Sequence, residues 1–146
     1  MIRLLILILL CAPLFAEGIY SVERKVSLST SAEVITLQNP AGGKRTTFEY
    51  ASVYCSAAVE FTEEYDGTVS GGTTLTVNRR ARDGAGTVTA THTTTIASTN
   101  VLQRHKCTAA STYVFKPQAL KGGEELTIRT ESATADIIIQ VQWHER

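Results

Sequence analysis

A chain of 146 residues, 43% of them hydrophobic, is long enough for one self-sufficient domain and short for two. Its 14 basic and 14 acidic side chains cancel, so no net charge attracts nucleic acid or an anionic membrane surface. This balance excludes the class of strongly basic nucleic-acid binders.

The first sixteen residues have the pattern of a secretory signal peptide. Arg3 supplies a positive charge, residues 4–10 form an unbroken apolar run, and residues 13–16 form a cleavage site before Glu17. Because the run is too short to span a bilayer, we expect export and removal rather than a transmembrane anchor. The sequence therefore predicts a secreted protein, located in the medium, in the periplasm or at the cell surface. Cys11 leaves open the alternative of a bacterial lipoprotein, although Leu10 stands where such signals have a small residue.

Removal of residues 1–16 leaves a single predicted domain, residues 17–146, with two cysteines, Cys55 and Cys107. In an exported domain two cysteines most simply form one disulfide, and two free buried thiols are the alternative. Closing a loop of about fifty residues would stabilise the fold by about 4 kcal/mol, through the unfolded state.

The mature chain begins with a predicted strand at residues 17–28, in which Tyr20, Val22 and Val26 alternate with polar residues. The same stretch also fits an arm that docks on a neighbouring subunit. A second short strand is predicted at residues 34–37. The turn at residues 39–43 follows from its proline and paired glycines.

Residues 46–55 predict a central strand that ends in Cys55. Strict alternation would place Phe48, Tyr50 and Tyr54 on one face and Ala51, Val53 and Cys55 on the other, both faces being covered. We expect residues 57–61 to continue the sheet after a bend. The Asp-Gly pair predicts a turn at residues 63–67.

The second half of the chain is also rich in strand signals. An exposed loop with three arginines is predicted at residues 78–86, and the last strand would place Ile137, Ile139, Val141 and Trp143 on one face. The threonine-dense stretch favours a strand because β-branched side chains suit a pleated surface. Strands are predicted at residues 73–77, 87–96, 101–107, 113–115, 125–130 and 136–143.

About eight to ten short strands, with no convincing helical period, predict an all-β fold. The strand spacing favours an antiparallel β-sandwich with a jelly-roll-like arrangement. An immunoglobulin domain would have its tryptophan between the two cysteines, whereas Trp143 follows both.

No residue pattern predicts catalysis. Ser70 lacks the glycine spacing of a nucleophile elbow, and His92, His105 and His144 lack metal-ligand spacing. There is also no phosphate-binding glycine motif and no CxxC pair. We therefore expect no enzymatic activity and no cofactor.

An acidic cluster comprises Glu60, Glu63, Glu64 and Asp66. Carboxylates on one loop are ligands for Ca²⁺, which makes the cluster a weak metal candidate. It lacks EF-hand spacing and fits an acidic turn equally well.

Three functional hypotheses remain. The first is a structural or assembly subunit, a homo-oligomer or the partner of a surface protein, with residues 19–28 offering a strand edge to a neighbour. The second is a carbohydrate- or ligand-binding module that uses loops at one end of the sandwich. Its candidate contacts are Tyr65, Asp66, Tyr113 and Trp143.

The third hypothesis concerns the arginine loop. Arg79, Arg80 and Arg82 would bind an acidic partner by paired hydrogen bonds, or would only keep the loop in solvent.

Overall fold

A computed structural model describes residues 18–28, 33–65, 67–79, 86–92, 95–97, 100–132 and 134–146. In this part of the chain the regular structure consists of β-strands alone. The expected signal peptide, residues 1–16, lies outside the described residues, as do Asp66, Arg80 and Arg82.

The described residues form thirteen strands. They are β1 (Gly18–Leu28), β2 (Glu33–Gln38), β3 (Thr46–Cys55), β4 (Val59–Tyr65), β5 (Thr68–Ser70), β6 (Thr73–Thr74), β7 (Asn78–Arg79), β8 (Thr89–His92), β9 (Thr95–Ala97), β10 (Asn100–Cys107), β11 (Ser111–Phe115), β12 (Glu125–Ser132) and β13 (Ala135–Glu145). The count exceeds the expected eight to ten because four of these strands have only two or three residues.

The strands form two antiparallel sheets packed against each other, which confirms the predicted β-sandwich. Sheet I has the order β11-β3-β13-β1-β7, and sheet II has the order β10-β4-β12-β2-β8-β6. A separate pair consists of β5 and β9. The longest strands follow the orders β1-β13-β3-β11 and β2-β12-β4-β10, which is the arrangement of a jelly roll.

The hydrophobic core lies between the two sheets and follows from alternation along each strand. On β13 the predicted set Ile137, Ile139, Val141 and Trp143 is buried on one face, because successive side chains point to opposite sides of a strand. Sheet II contributes side chains such as Phe61 from β4 in the same way. The core is therefore one cluster shared by both sheets.

The first strand lies within its own sheet. β1 pairs with β13 from Gly18↔Glu145 to Leu28↔Ala135, while β7 covers its other side only at Tyr20 and Ser21. Residues 18–28 therefore form a strand within the sheet of their own chain, while docking on a neighbouring subunit stays a prediction.

One prediction about β3 is wrong, because the strand contains a β-bulge. Phe48 pairs with Trp143 and Tyr50 with Gln142, so Glu49 is an extra residue on β3. The extra residue shifts the alternation by one position. Phe48 is consequently buried on the same face as Ala51, whereas Tyr50 and Tyr54 are half-buried on the opposite face.

The turn predicted at residues 63–67 is also wrong over its first half. β4 continues to Tyr65 and is paired on both sides, with β10 and with β12. Within the strand, Glu63 contacts the buried His105, and Glu64 contacts Thr62 and Arg129. The local turn preference of the Asp-Gly pair does not extend back over these residues.

The remaining differences concern short strands. The predicted strand at residues 73–77 is paired only at Thr73–Thr74, and the stretch at residues 87–96 divides into β8 and β9, which belong to different sheets. Two residues of the predicted arginine loop, Asn78–Arg79, pair with β1.

Candidate functional site

The hairpin formed by β10 and β11 contains one edge strand of each sheet. Its turn has Ala110 at a positive φ of 52°, and the hydroxyl oxygens of Thr108 and Ser111 lie 2.7 Å apart. The predicted disulfide between Cys55 and Cys107 is present, with a Cα–Cα distance of 6.2 Å. The disulfide connects β3 to β10, so it ties the two sheets together beside the hairpin.

A buried polar network supports the hairpin from inside. The imidazole of His105 on β10 lies 3.1 Å from the Tyr113 hydroxyl through Nδ1 and 3.1 Å from the Glu63 carboxylate through Nε2. The Tyr65 hydroxyl donates to the other carboxylate oxygen at 3.1 Å and accepts a hydrogen bond from the backbone N–H of Gln118 at 2.7 Å. The network therefore joins β4, β10, β11 and the segment after β11.

The electrostatics of this network hold its parts in place. Burial raises the pKa of the Tyr65 phenol, and the nearby Glu63 carboxylate raises it further, so the phenol keeps its proton and donates to Glu63. The His105 ring packs against Phe61 and Phe115, at centroid distances of 5.0 and 4.6 Å, and these two rings are 5.4 Å from each other. Glu63 is 1% exposed, and both of its carboxylate oxygens have a partner, His105 Nε2 and the Tyr65 hydroxyl.

The order carboxylate, imidazole and hydroxyl is that of a nucleophilic relay. Here the imidazole packs against the rings of Phe61 and Phe115. A cavity of about 410 Å³ is lined by other residues, including Asn39 and Glu125, and one of about 310 Å³ includes Lys25 and Asp136. The arrangement of Glu63, His105 and Tyr113 is thus suited to fixing the hairpin.

The outer side of sheet I carries the second feature of the site. On β11, β3 and β13, the side chains that point away from the core form rows, such as Thr112–Tyr54–Ile138 and Val114–Ser52–Gln140. Apart from Glu49, Asp136 and His144 at the borders, these outward residues are uncharged. We call this surface the charge-free face, and it comprises Tyr50, Ser52, Tyr54, Thr112, Val114, Ile138, Gln140 and Gln142.

Charged residues border this face, and one of them is Asp136, which is exposed at the start of β13. Beyond Tyr50, the Glu49 carboxylate lies 2.5 Å from His144 Nε2 and accepts a hydrogen bond from the amide of Gln142. On the neighbouring strand β1, the outward positions carry Glu23 and Lys25. The face is therefore an uncharged surface with a polar rim.

The exposed large hydrophobic residues among the described residues are all on the hairpin. Val114, on β11, is 61% exposed, while Val101 and Leu102, on β10, are 47% and 44% exposed. Val114 lies at the edge of the charge-free face, where β11 pairs, among the described strands, only with β3. The hairpin and this face together form the candidate site.

A separate polar cluster fixes the chain after the arginine loop. The buried carboxylate of Glu145 accepts hydrogen bonds from the backbone N–H of Thr87 at 2.6 Å and of Val88 at 3.1 Å. Trp143 Nε1 donates to the same carboxylate at 3.1 Å, and its ring stacks on Tyr20. These bonds are satisfied within the fold, which makes the cluster structural.

The predicted ligand contacts do not converge on one site. Tyr65 and Tyr113 belong to the buried network, whereas Trp143 is completely buried beside Tyr20. The rings of Tyr65 and Trp143 therefore offer no exposed surface to a sugar. Asp66 lies outside the described residues.

The weak calcium candidates also point in different directions. Glu63 faces the core, while Glu60 is exposed and Glu64 is bound by Thr62 at 2.7 Å and Arg129 at 3.4 Å. Within the described ranges, no group of three or more His, Cys, Asp or Glu side chains is placed to hold a metal ion.

Of the predicted arginine loop, the structure describes Arg79, which is exposed on β7. Arg80 and Arg82 lie outside the described residues, so the partner-binding loop stays a prediction.

Sequence reasoning missed both main features of the site. The network joins residues as distant as Glu63 and His105, 42 positions apart, and no local pattern signals such a contact. The charge-free face did have a signal: alternate positions 138, 140 and 142 lack charge. The corresponding signal on β3 was obscured by the bulge at Glu49.

The chain matches no protein-family model, no curated protein and no solved structure. The described part of the chain holds no helix with the length and hydrophobicity needed to traverse a bilayer. The disulfide is compatible with an extracellular protein.

Proposed function

We propose that the protein is an exported, non-enzymatic structural subunit that associates with further copies of itself through the charge-free face. The observation that carries this proposal is the composition of that face, in which eight outward positions on three adjacent strands include no charged residue. Val114, with its 61% exposure, lies at its margin.

The chemistry of the face favours a protein partner. The centre of a protein interface is depleted in charged residues and enriched in tyrosine, while its rim is polar. Tyr50 and Tyr54 stand on the face, and Glu23, Lys25 and Glu49 surround it. A second copy of the same surface is a suitable partner because two uncharged faces meet without like-charge repulsion.

Export is the second component of the proposal. It is supported by the signal-like composition of residues 1–16 and by the disulfide between Cys55 and Cys107, a bond that persists in oxidising compartments.

A matched pair of variants tests the association. Val114→Lys places a charge at the β11 border of the face, whereas Thr89→Lys places the same charge on the outer side of sheet II. Light scattering coupled to size-exclusion chromatography should find an oligomer for the wild type and for Thr89→Lys. Val114→Lys should associate more weakly by at least about tenfold, since taking an unpaired charge out of water at the contact costs about 1.4 kcal/mol or more.

A wild-type chain that stays monomeric up to its solubility limit overturns the proposal, and so does equal association of the two variants. The same variants examine the carbohydrate alternative. A monomeric wild type whose binding to an immobilised glycan is lost in Val114→Lys but kept in Thr89→Lys would assign the face to a sugar instead.

A further inference from the structure

We propose that the partner is a second copy joined through β11, which pairs antiparallel with the β11 of the other subunit about a two-fold axis at Tyr113. This inference rests on the proposed function and places the contact at the β11 border of the charge-free face, which carries Thr112 and Val114. Sheet I would then continue from one subunit into the next.

The edge of β11 differs from the other long strands that border the sheets. Its five residues, STYVF, include neither a charge nor a proline. By contrast, β10 has a register shift at Leu102 and carries Arg104 and Lys106. Charges and bulges are the usual protection of an edge against strand addition, and β11 has neither.

The opposite border of sheet I is protected as well. Beyond the two residues covered by β7, β1 presents Glu23, Arg24 and Lys25. A head-to-tail contact between β11 and β1 would place these charges against an uncharged strand. Pairing of β11 with itself avoids that mismatch.

The proposed register is self-complementary. A two-fold axis at Tyr113 places Thr112 of each subunit opposite Val114 of the other, on the outer side of the sheet. Pairs of β-branched residues are favourable at directly opposed positions. The contact thus extends the row Val114–Ser52–Gln140 across the subunit boundary.

The hairpin is held rigid before any partner arrives. The Cys55–Cys107 disulfide fixes one end of β10, and the hydrogen bond between Tyr113 and His105 fixes the centre of β11 from inside. A preordered strand loses little conformational entropy on pairing, which favours association. A two-fold contact uses the same patch on both subunits, so it closes at a dimer.

Charge-swap variants test the register. In Thr112→Lys/Val114→Lys, the two-fold pairing places the lysine at position 112 of each subunit opposite the lysine at position 114 of the other. We expect this repulsion to weaken dimerisation by at least about thirtyfold. In Thr112→Glu/Val114→Lys, each glutamate faces a lysine of the other subunit. This variant should dimerise to within about threefold of the wild type.

The control keeps the net charge of the second variant but removes the pairing. Thr112→Glu/Val101→Lys moves the lysine to another exposed valine, on β10, and should dimerise at least about tenfold more weakly than Thr112→Glu/Val114→Lys. Thr112 and Val114 are exposed, so each variant should retain the wild-type circular dichroism spectrum.

The outcomes separate this inference from the proposed function. A wild-type oligomer, with equal dimerisation of Thr112→Glu/Val114→Lys and its control, overturns the two-fold register and leaves the proposed function standing. A monomeric wild type overturns both.

Discussion

In both sheets inward and outward side chains alternate along the strands, but the residue types on the two outer sides differ. Outward residues of sheet II bind one another: the hydroxyls of Thr36 and Thr127 lie 3.1 Å apart, and Glu64 contacts Thr62 and Arg129. The outward residues of sheet I that form the charge-free face are uncharged and include the most exposed large hydrophobic residue of the described chain, Val114. The fold therefore does not decide which side of a sandwich meets a partner. The residue types at outward positions do.

The largest effect should come from removing the Cys55–Cys107 disulfide, which connects β3 of the charge-free face to β10 of sheet II. Replacing Cys55 and Cys107 by alanine removes a link across 52 residues, and we expect the free energy of unfolding to fall by about 4 kcal/mol. Urea unfolding of the double variant and of the wild type measures the difference. Because the hairpin would lose its anchor, the variant should also associate less. A loss below about 1 kcal/mol would show that the hairpin is held by other contacts.

A smaller effect is expected from substitutions of two neighbouring glutamates, Glu63 and Glu64, whose side chains lie on opposite sides of β4. Glu63→Gln weakens charge-assisted bonds to His105 and Tyr65 inside the core and should cost about 2 kcal/mol in unfolding free energy. Glu64→Gln weakens the contact with Arg129, whose side chain is 35% exposed, and should cost less than about 1 kcal/mol. Thermal unfolding ranks the two variants. The reverse order would mean that the buried network does not support the hairpin.

A feature of the fold can be predicted from the sequence when residues close together along the chain are enough to specify it. β13 was predicted correctly because Ile137, Ile139 and Val141 alternate without interruption. The single extra residue Glu49 was enough to misplace Phe48, since an extra residue exchanges the two faces of a strand.

The site depends on contacts that the sequence does not encode locally. The number and spacing of strands indicated a sandwich, but the neighbours of each strand follow from packing of the whole chain. The pairing of Glu63 with His105 likewise requires β4 and β10 to be adjacent. The Asp-Gly turn signal was a local preference overridden by the pairing of β4 on both sides.

Hydrogen–deuterium exchange of the wild type, measured dilute and concentrated, tests the central claim most directly. If β11 is where the charge-free face meets a second copy, backbone amides within Ser111–Phe115 should exchange more slowly in the concentrated protein, while those of residues 100–104 on β10 should not change. Unchanged exchange in Ser111–Phe115 at a concentration where the protein is associated, or slowing on β10 instead, would contradict it.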